Sequence, residues 1–272
     1  MNNSINDIKV ALLVPSCDKY IDVLDQFFDR QERFMGWWNA PRYALIEEGI
    51  YKRDGITVLN SNKSDSWADR VRKNVESLKE EYFILLLDDY FMDKEVSENQ
   101  IIQALQIMKS ENIKYYKLVN NPKVNYPLEK YPYISYIPNN VRYGINMAEC
   151  IIRKDFFLDM LQPGMNVWDV EAFPLTKVQP KFTGYLEYCV TDTREILKTR
   201  YAIMHGKWVK PTMKYFEKIG LPIKVGDRGI SSSFQLVSVK FYVFVNRHLS
   251  MKTIRMIKRL LKRFGHKFAS DY

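Results

Sequence analysis

Three short apolar runs, each followed by apolar residues at helical spacing, leave this chain few folds to choose from. "KVALLVPSC" (9–17) is a continuous apolar run that ends at a proline, the pattern of a strand buried on both faces. Beyond it Ile21, Leu24, Phe27, Phe28 and Phe34 recur at helix period. "GITVLN" (55–60) predicts a second strand and residues 65–82 a second helix. "FILLLDDYF" (83–91) predicts a third strand, and Ser97 a cap for the helix that follows. Strands alternating with helices predict an α/β fold, a doubly wound, mostly parallel sheet flanked by helices. In such sheets ligands lie beyond the carboxyl ends of the strands. Residues 16–18, 60–66 and 88–89 are polar segments at that edge.

The second half is less regular. Residues 121–140 hold four prolines and four tyrosines and predict an ordered, irregular loop. "CIIRKDFFLDMLQPG" (150–164) predicts a short strand and helix ended by Pro163–Gly164.

Charge argues about partners only once it is located. The net charge is +9, but Arg247, Lys252, Arg255, Lys258, Arg259, Lys262, Arg263 and Lys267 supply +8 in a segment without acids, leaving +1 elsewhere. A nucleic-acid enzyme would spread its cations along the groove that holds the phosphates, so nucleic acid is not an expected partner. Over residues 250–268, Ile254, Ile257, Leu260, Leu261, Phe264 and Phe268 project to one side and the cations to the other. This is the pattern of a basic amphipathic helix lying on an anionic membrane surface; a terminal helix with a solvated basic face is the alternative. Three cysteines at wide spacing, Cys17, Cys150 and Cys189, form neither a zinc motif nor a disulfide framework. No leader pattern opens the sequence, and no uncharged apolar run approaches the roughly 20 residues that span a bilayer. The expectation is a cytoplasmic protein, peripheral at the inner face of the plasma membrane.

Two adjacent carboxylates, Asp88 and Asp89, end the most strand-like segment. A solvated turn is the plain explanation. At a ligand-binding strand end such a pair can also hold a divalent cation that bridges a nucleotide diphosphate.

Four segments together carry a resemblance: "VALLVPSCDKY", "DSWADRVRKNVESLKEEYFILLLDDYF", "RKDFFLDMLQPGMNVWDVEAF" and "GKW". In patches over residues 8–210 the chain resembles a group of bacterial GT-A-fold glycosyltransferases, related to the large family-2-like class and typical of capsule and lipopolysaccharide loci. The resemblance implies a nucleotide-sugar donor, a saccharide or lipid-linked acceptor, and Mn²⁺ or Mg²⁺ as cofactor. It makes "DDYF" a form of the DXD motif, with Asp89 and Asp88 as metal ligands and Asp88 also facing the donor. The group often has Glu where this chain has Asp88, which puts more weight on Asp89. Asp18 falls where such enzymes meet the nucleobase or ribose, and Asp65, Trp67 and Arg70 at the helix start that meets the donor. For Trp67 core packing, and for Arg70 a surface ion pair, are the alternatives. Glu171 is implied as the base that takes the acceptor's proton, with Asp169 second; an acidic helix start is the alternative there. Asp169 and Glu171 are expected on opposite faces of an extended segment. His205 is implied as a late metal ligand, with a structural or phosphate-contacting histidine as the alternative, and Lys207 as a diphosphate contact. The implied organisation is a catalytic domain over 1–248, with its nucleotide-sugar half about 1–120 and its acceptor half about 121–248, and a basic tail over 249–272. A nucleotidyltransferase or other phosphate-handling α/β enzyme, or a non-catalytic membrane-associated binding module, stays open; "VPSCDKY" lacks the glycines of a phosphate loop.

Overall fold

The run at 9–17 becomes a six-residue strand, β1 (Val10–Pro15), buried throughout because sheet and helices cover both of its faces. The structure is a computed structural model that describes residues 5, 8–138, 141, 143–172 and 188–232, with 253, 256, 259, 260 and 263 near the C-terminus. Two compact units divide it, Met1–Arg200 and Tyr201–Tyr272. In the first, α1 (Ile21–Phe34), β2 (Arg42–Ile46), β3 (Thr57–Asn60), α2 (Trp67–Ser77), β4 (Tyr82–Leu85) and β5 (Tyr90–Met92) follow β1. Then come α3 (Glu98–Ser110), β6 (Tyr115–Lys117), β7 (Ile134–Tyr136), β8 (Cys150–Arg153), α4 (Lys154–Met160), α5 (Val167–Ala172) and β9 (Cys189–Asp192). After β10 (Thr199–Tyr201), the second unit holds β11 (Ile203–Met204), β12 (Lys207–Trp208) and α6 (Lys210–Lys218).

The main sheet has the order β3-β2-β1-β4-β8-β6-β9-β7. Strands β1 to β4 are mutually parallel. Antiparallel β8 separates β4 from β6, so β6 and its parallel neighbour β9 run with the first four. Only β8 and the edge strand β7 run against them. The expected α/β architecture, mostly parallel and flanked by helices, is therefore the one adopted. One face of the sheet presents Ala11, Leu13, Phe83 and Leu85 to α2, α4 and α5 in a single apolar cluster. The alternate residues Leu12, Val14 and Ile84 point the other way and are equally buried. Helices α1 and α3 carry the buried stripes outside that cluster, through Phe27, Phe28, Ile101 and Leu105.

Helices α2 and α4 cap each other. Lys154, at the start of α4, donates to the carbonyls of Glu76 (3.0 Å) and Leu78 (2.5 Å) at the end of α2. Arg72 of α2 donates to the Leu161 carbonyl (2.7 Å) and to that of Leu158, where α4 ends. Each cation meets the negative end of the other helix's dipole and satisfies carbonyls that have no partner within the helix.

Three local expectations are corrected. The predicted third strand is two: β4 stops at Leu85, and a turn closed by the Tyr90 N–H on the Leu87 carbonyl (3.1 Å) leads to β5. The helix predicted over 65–82 is shorter, because Ser66 caps it and the chain turns extended at Leu78. The segment holding Asp169 and Glu171 is helix α5 rather than extended, with Asn166 and Asp169 exchanging side chain-to-backbone hydrogen bonds at its start (3.0 and 3.3 Å). The irregular stretch 121–140 contains one short strand, β7. The expected tail helix lies outside the described residues except for Thr253, Met256, Arg259, Leu260 and Arg263, which are helical. Among the described residues no helix is long and apolar enough to cross a membrane.

Candidate active site

Strand order reverses at β1. The chain leaves β1 for β2 and β3 on one side, then returns to β4 on the other. The crevice beyond the carboxyl ends of β1 and β4 is where open α/β sheets bind ligands. Here the Ser16 hydroxyl, just past β1, donates to Asp88, just past β4. Asp88 is buried (6% exposed), while Asp89 occupies the next position of the turn and is half-buried. The pair thus sits in a turn, as the plain explanation had it, but not a solvated one. Burial pushes the Asp89 carboxyl up to about 6, against the lowering effect of its own N–H.

The end of β2 supplies the next part. Asp18 accepts the N–H groups of Glu47 (3.1 Å), Glu48 (3.3 Å) and Gly49 (2.9 Å), and its own N–H donates to the Glu47 carboxylate (3.2 Å). A Cβ at position 49 would stand 2.7 Å from an Asp18 oxygen, so glycine is what permits this approach. Glu47 also pairs with Arg70 of α2 at 3.1 Å, both side chains largely buried. Cys17 lies among these groups: burial first, then Asp88 and Glu47, raises its thiol pKa. This thiol is therefore not an activated nucleophile. Ser16, Ser61, Trp67 and Arg70 line a small crevice with room for little more than a water molecule. Trp67 both lines it and packs on the core. Asp65 precedes the Ser66 cap, its N–H bonded to the Asn62 carbonyl (3.1 Å).

Farther along the same sheet edge, Lys117 ends β6 and Glu149 precedes β8. Register pairs Cys150 with both Leu85 and Lys117, which fixes the two residues on the edge that carries Asp88. Glu171 reaches this group from α5, its Oε1 accepting the Met147 N–H at 2.9 Å. Burial pushes the Glu171 carboxyl up to about 7, against the Met147 N–H and Lys117. Asp169 is instead occupied in the cap of α5. Helix α5 is joined to the first turn of α2 by the Ala68 N–H on the Met165 carbonyl (3.0 Å) and the Gly164 N–H on Asp69 (3.1 Å).

No family model and no curated protein matches this sequence. Among solved structures it is similar to S. aureus TarS 1-349, with 7% identity, TM-score 0.46, and coverage of 70% of this chain and 59% of that one. It is also similar to the mannosyltransferase PcManGT from Pyrobaculum calidifontis in complex with GDP-Man and Mn²⁺, with 10% identity, TM-score 0.49, and coverage of 95% and 81%. A third is glucosyl-3-phosphoglycerate synthase from Mycobacterium tuberculosis in complex with Mn²⁺, UDP-Glc and phosphoglyceric acid, with 10% identity, TM-score 0.42, and coverage of 74% and 77%. The chain thus spans about three fifths of the TarS fragment. Chemistry has to be read from this chain's own side chains.

The structure thus brings Asp18, Arg70, Asp88 and Asp89 to one rim and sets Glu171 on the same edge of the sheet. His205 and Lys207 belong to the second unit. His205 (φ 50°) and Gly206 (φ 75°) form the two-residue turn between β11 and β12, and both His205 and Lys207 are exposed. Among the described residues no three His, Cys, Asp or Glu side chains gather as a metal site. Asp88 and Asp89 nevertheless suit a hard cation. They are oxygen donors, and Mg²⁺ is commonly held by one or two carboxylates with substrate phosphates completing the shell. Glu47, Glu149 and Lys117 were not singled out by sequence. Glu47 follows β2, which opens on a charged residue and takes its place from pairing with β1, and a lysine at a strand end looks solvated until the topology buries it.

Proposed function

We propose that this protein is a metal-assisted glycosyltransferase that moves a sugar from a nucleotide-sugar donor to a saccharide or lipid-linked acceptor in bacterial surface-polysaccharide synthesis. The observation that carries the reading is the turn at the strand-order reversal, where Asp88 is held by Ser16 and Asp89 is desolvated beside it. Mn²⁺ or Mg²⁺ bound there would place positive charge against the phosphates of the departing nucleoside diphosphate. Asp18 and the Arg70–Glu47 pair keep the rim in shape. Glu171 takes the proton of the attacking acceptor hydroxyl. A carboxyl that titrates near 7 both accepts a proton in the transition state and is substantially ionised at neutral pH. Residues 250–268 hold the enzyme at the anionic inner face of the plasma membrane. No step is assigned to His205 or Lys207.

The test is a thermal-shift panel of UDP-, GDP-, CMP- and dTDP-sugars with and without Mn²⁺, on wild type and Asp89→Ala. One nucleotide class should raise the melting temperature, more so with Mn²⁺, and the Mn²⁺ increment should vanish in the variant. Stabilisation by none of the panel would refute the donor reading. An increment untouched by Asp89→Ala would refute the metal role alone.

A further inference from the structure

Lys117 is 1% exposed, unusual for an ammonium group. Its Nζ donates to the carbonyls of Tyr143 (2.7 Å) and Gly144 (3.2 Å). The segment it grips is held in a costly conformation: Tyr143 (φ 58°) and Glu149 (φ 52°) both adopt left-handed backbone without being glycine. Between them, Asn146 is fixed by the Tyr115 hydroxyl, which donates to the Asn146 carbonyl (3.0 Å) and accepts the Asn146 N–H (3.1 Å). The Met147 N–H then donates to Glu171, and Glu149 accepts the Thr199 hydroxyl. The backbone from 143 to 149 is therefore a bridge with Lys117 at one end and Glu171 along its length.

We propose that Lys117 is a positioning residue for Glu171, fixing the 143–149 bridge whose Met147 N–H orients the carboxylate, and supplying the buried positive charge that favours its ionised form. This deepens, and rests on, the reading of Glu171 as the acceptor's base. The ionisable groups around the pair are Tyr115 and Lys117 of β6, Glu149 just before β8, Cys150 of β8, Cys189 of the neighbouring strand β9, which acts on Tyr115, and Glu171 of α5. Lys117 is the cation among the groups acting on Glu171, and Glu171 in turn acts on Lys117 more strongly than Cys150 or Glu149 does. Burial lowers the ammonium to about 8 and raises the carboxyl to about 7, so each ion depends on the other. Lys117 does not touch substrate in this scheme. Its contribution passes through the bridge and through its charge.

Coupling between the two groups is reciprocal, so it can be read from either side. The experiment follows the Glu171 carboxyl carbon by NMR from pH 4.5 to 9 in wild type, Lys117→Gln and Lys117→Met. It also follows the Lys117 Cε signal in wild type and Glu171→Gln. Lys117→Gln keeps a donor for the bridge carbonyls without the charge, whereas Lys117→Met removes both. The Glu171 midpoint should rise by about one pH unit or more in both Lys117 variants. The Lys117 midpoint should fall by a similar amount in Glu171→Gln. If both Lys117 variants fail to fold, the Lys117 titration in wild type and Glu171→Gln decides alone. Midpoints that stay within about 0.2 of wild type would overturn the proposal. Sugar transfer is not involved in these measurements, so their outcome is separate from that of the base reading. A Glu171→Gln enzyme that still transfers sugar at the wild-type rate would refute the base while leaving the coupling intact.

Discussion

Asp88 and Asp89 are neighbours in sequence, yet the first is buried against the Ser16 hydroxyl, while the second is half-buried with its pKa raised by burial to about 6. Ser16→Ala leaves Asp88 without that donor and should cost about 1–3 kcal/mol of stability at pH 7 in urea denaturation. No loss would mean that the Ser16–Asp88 bond does not hold the turn. Glu171 makes a second prediction at this scale. Its carboxyl titrates near 7 in the fold and near ~4.3 in an unfolded chain. Between those values the folded protein keeps a proton that the unfolded chain has released, so this group lowers stability as pH rises through the window. Glu171→Gln removes that slope. Relative to wild type, the variant should gain on the order of 2–3 kcal/mol between pH 4.5 and 7.5. A difference that is flat with pH would show that Glu171 is not desolvated as described.

Among the elements, β1, β3 and α3 could be read in advance because apolar runs and a serine cap announce themselves locally. The strand β2 could not. "RYALI" is longer and more buried than β3, but it opens on a charged residue and takes its meaning from pairing with β1. Missing it hid Glu47, and hence the partner that takes up Arg70. The nature of α5 was also hidden, because two acids spaced by one residue fit a strand edge as well as a capped helix turn. Only the Asn166–Asp169 exchange distinguishes them. The mutual capping of α2 and α4 gives the prediction at this scale. Lys154→Met strips both donors from the end of α2 and should cost about 1–2 kcal/mol. Adding Arg72→Ala should cost less than the sum of the single changes, since both cations hold the same helix pair. Strict additivity in a double-mutant cycle would show that the two caps act independently.

Over the whole molecule, the parallel strands deliver their polar ends to one edge, which runs from Asn60 past Glu47, Ser16 and Asp88 to Glu149 and Lys117. That edge was legible from the strand–helix alternation, but its far end was not, because burial of Lys117 depends on β8 inserting between β4 and β6. The basic tail belongs to this scale as well. Deleting residues 249–272 should abolish co-sedimentation with vesicles of anionic lipid while the melting of the first unit stays unchanged; retained binding would refute the membrane role. The loop after β2 has a further consequence for how such a protein can be altered. Asp18 grips it through three main-chain N–H groups, and beyond Gly49 and the Glu47 carboxylate, which accepts the Asp18 N–H, the grip does not depend on which side chains the loop carries. Glu48 and Ile50 stand out from it exposed, Ile50 at 85%. Codons 48 and 50 are thus free to drift, or to be randomised in a library, because the scaffold beneath them is held by amides that every amino acid except proline supplies.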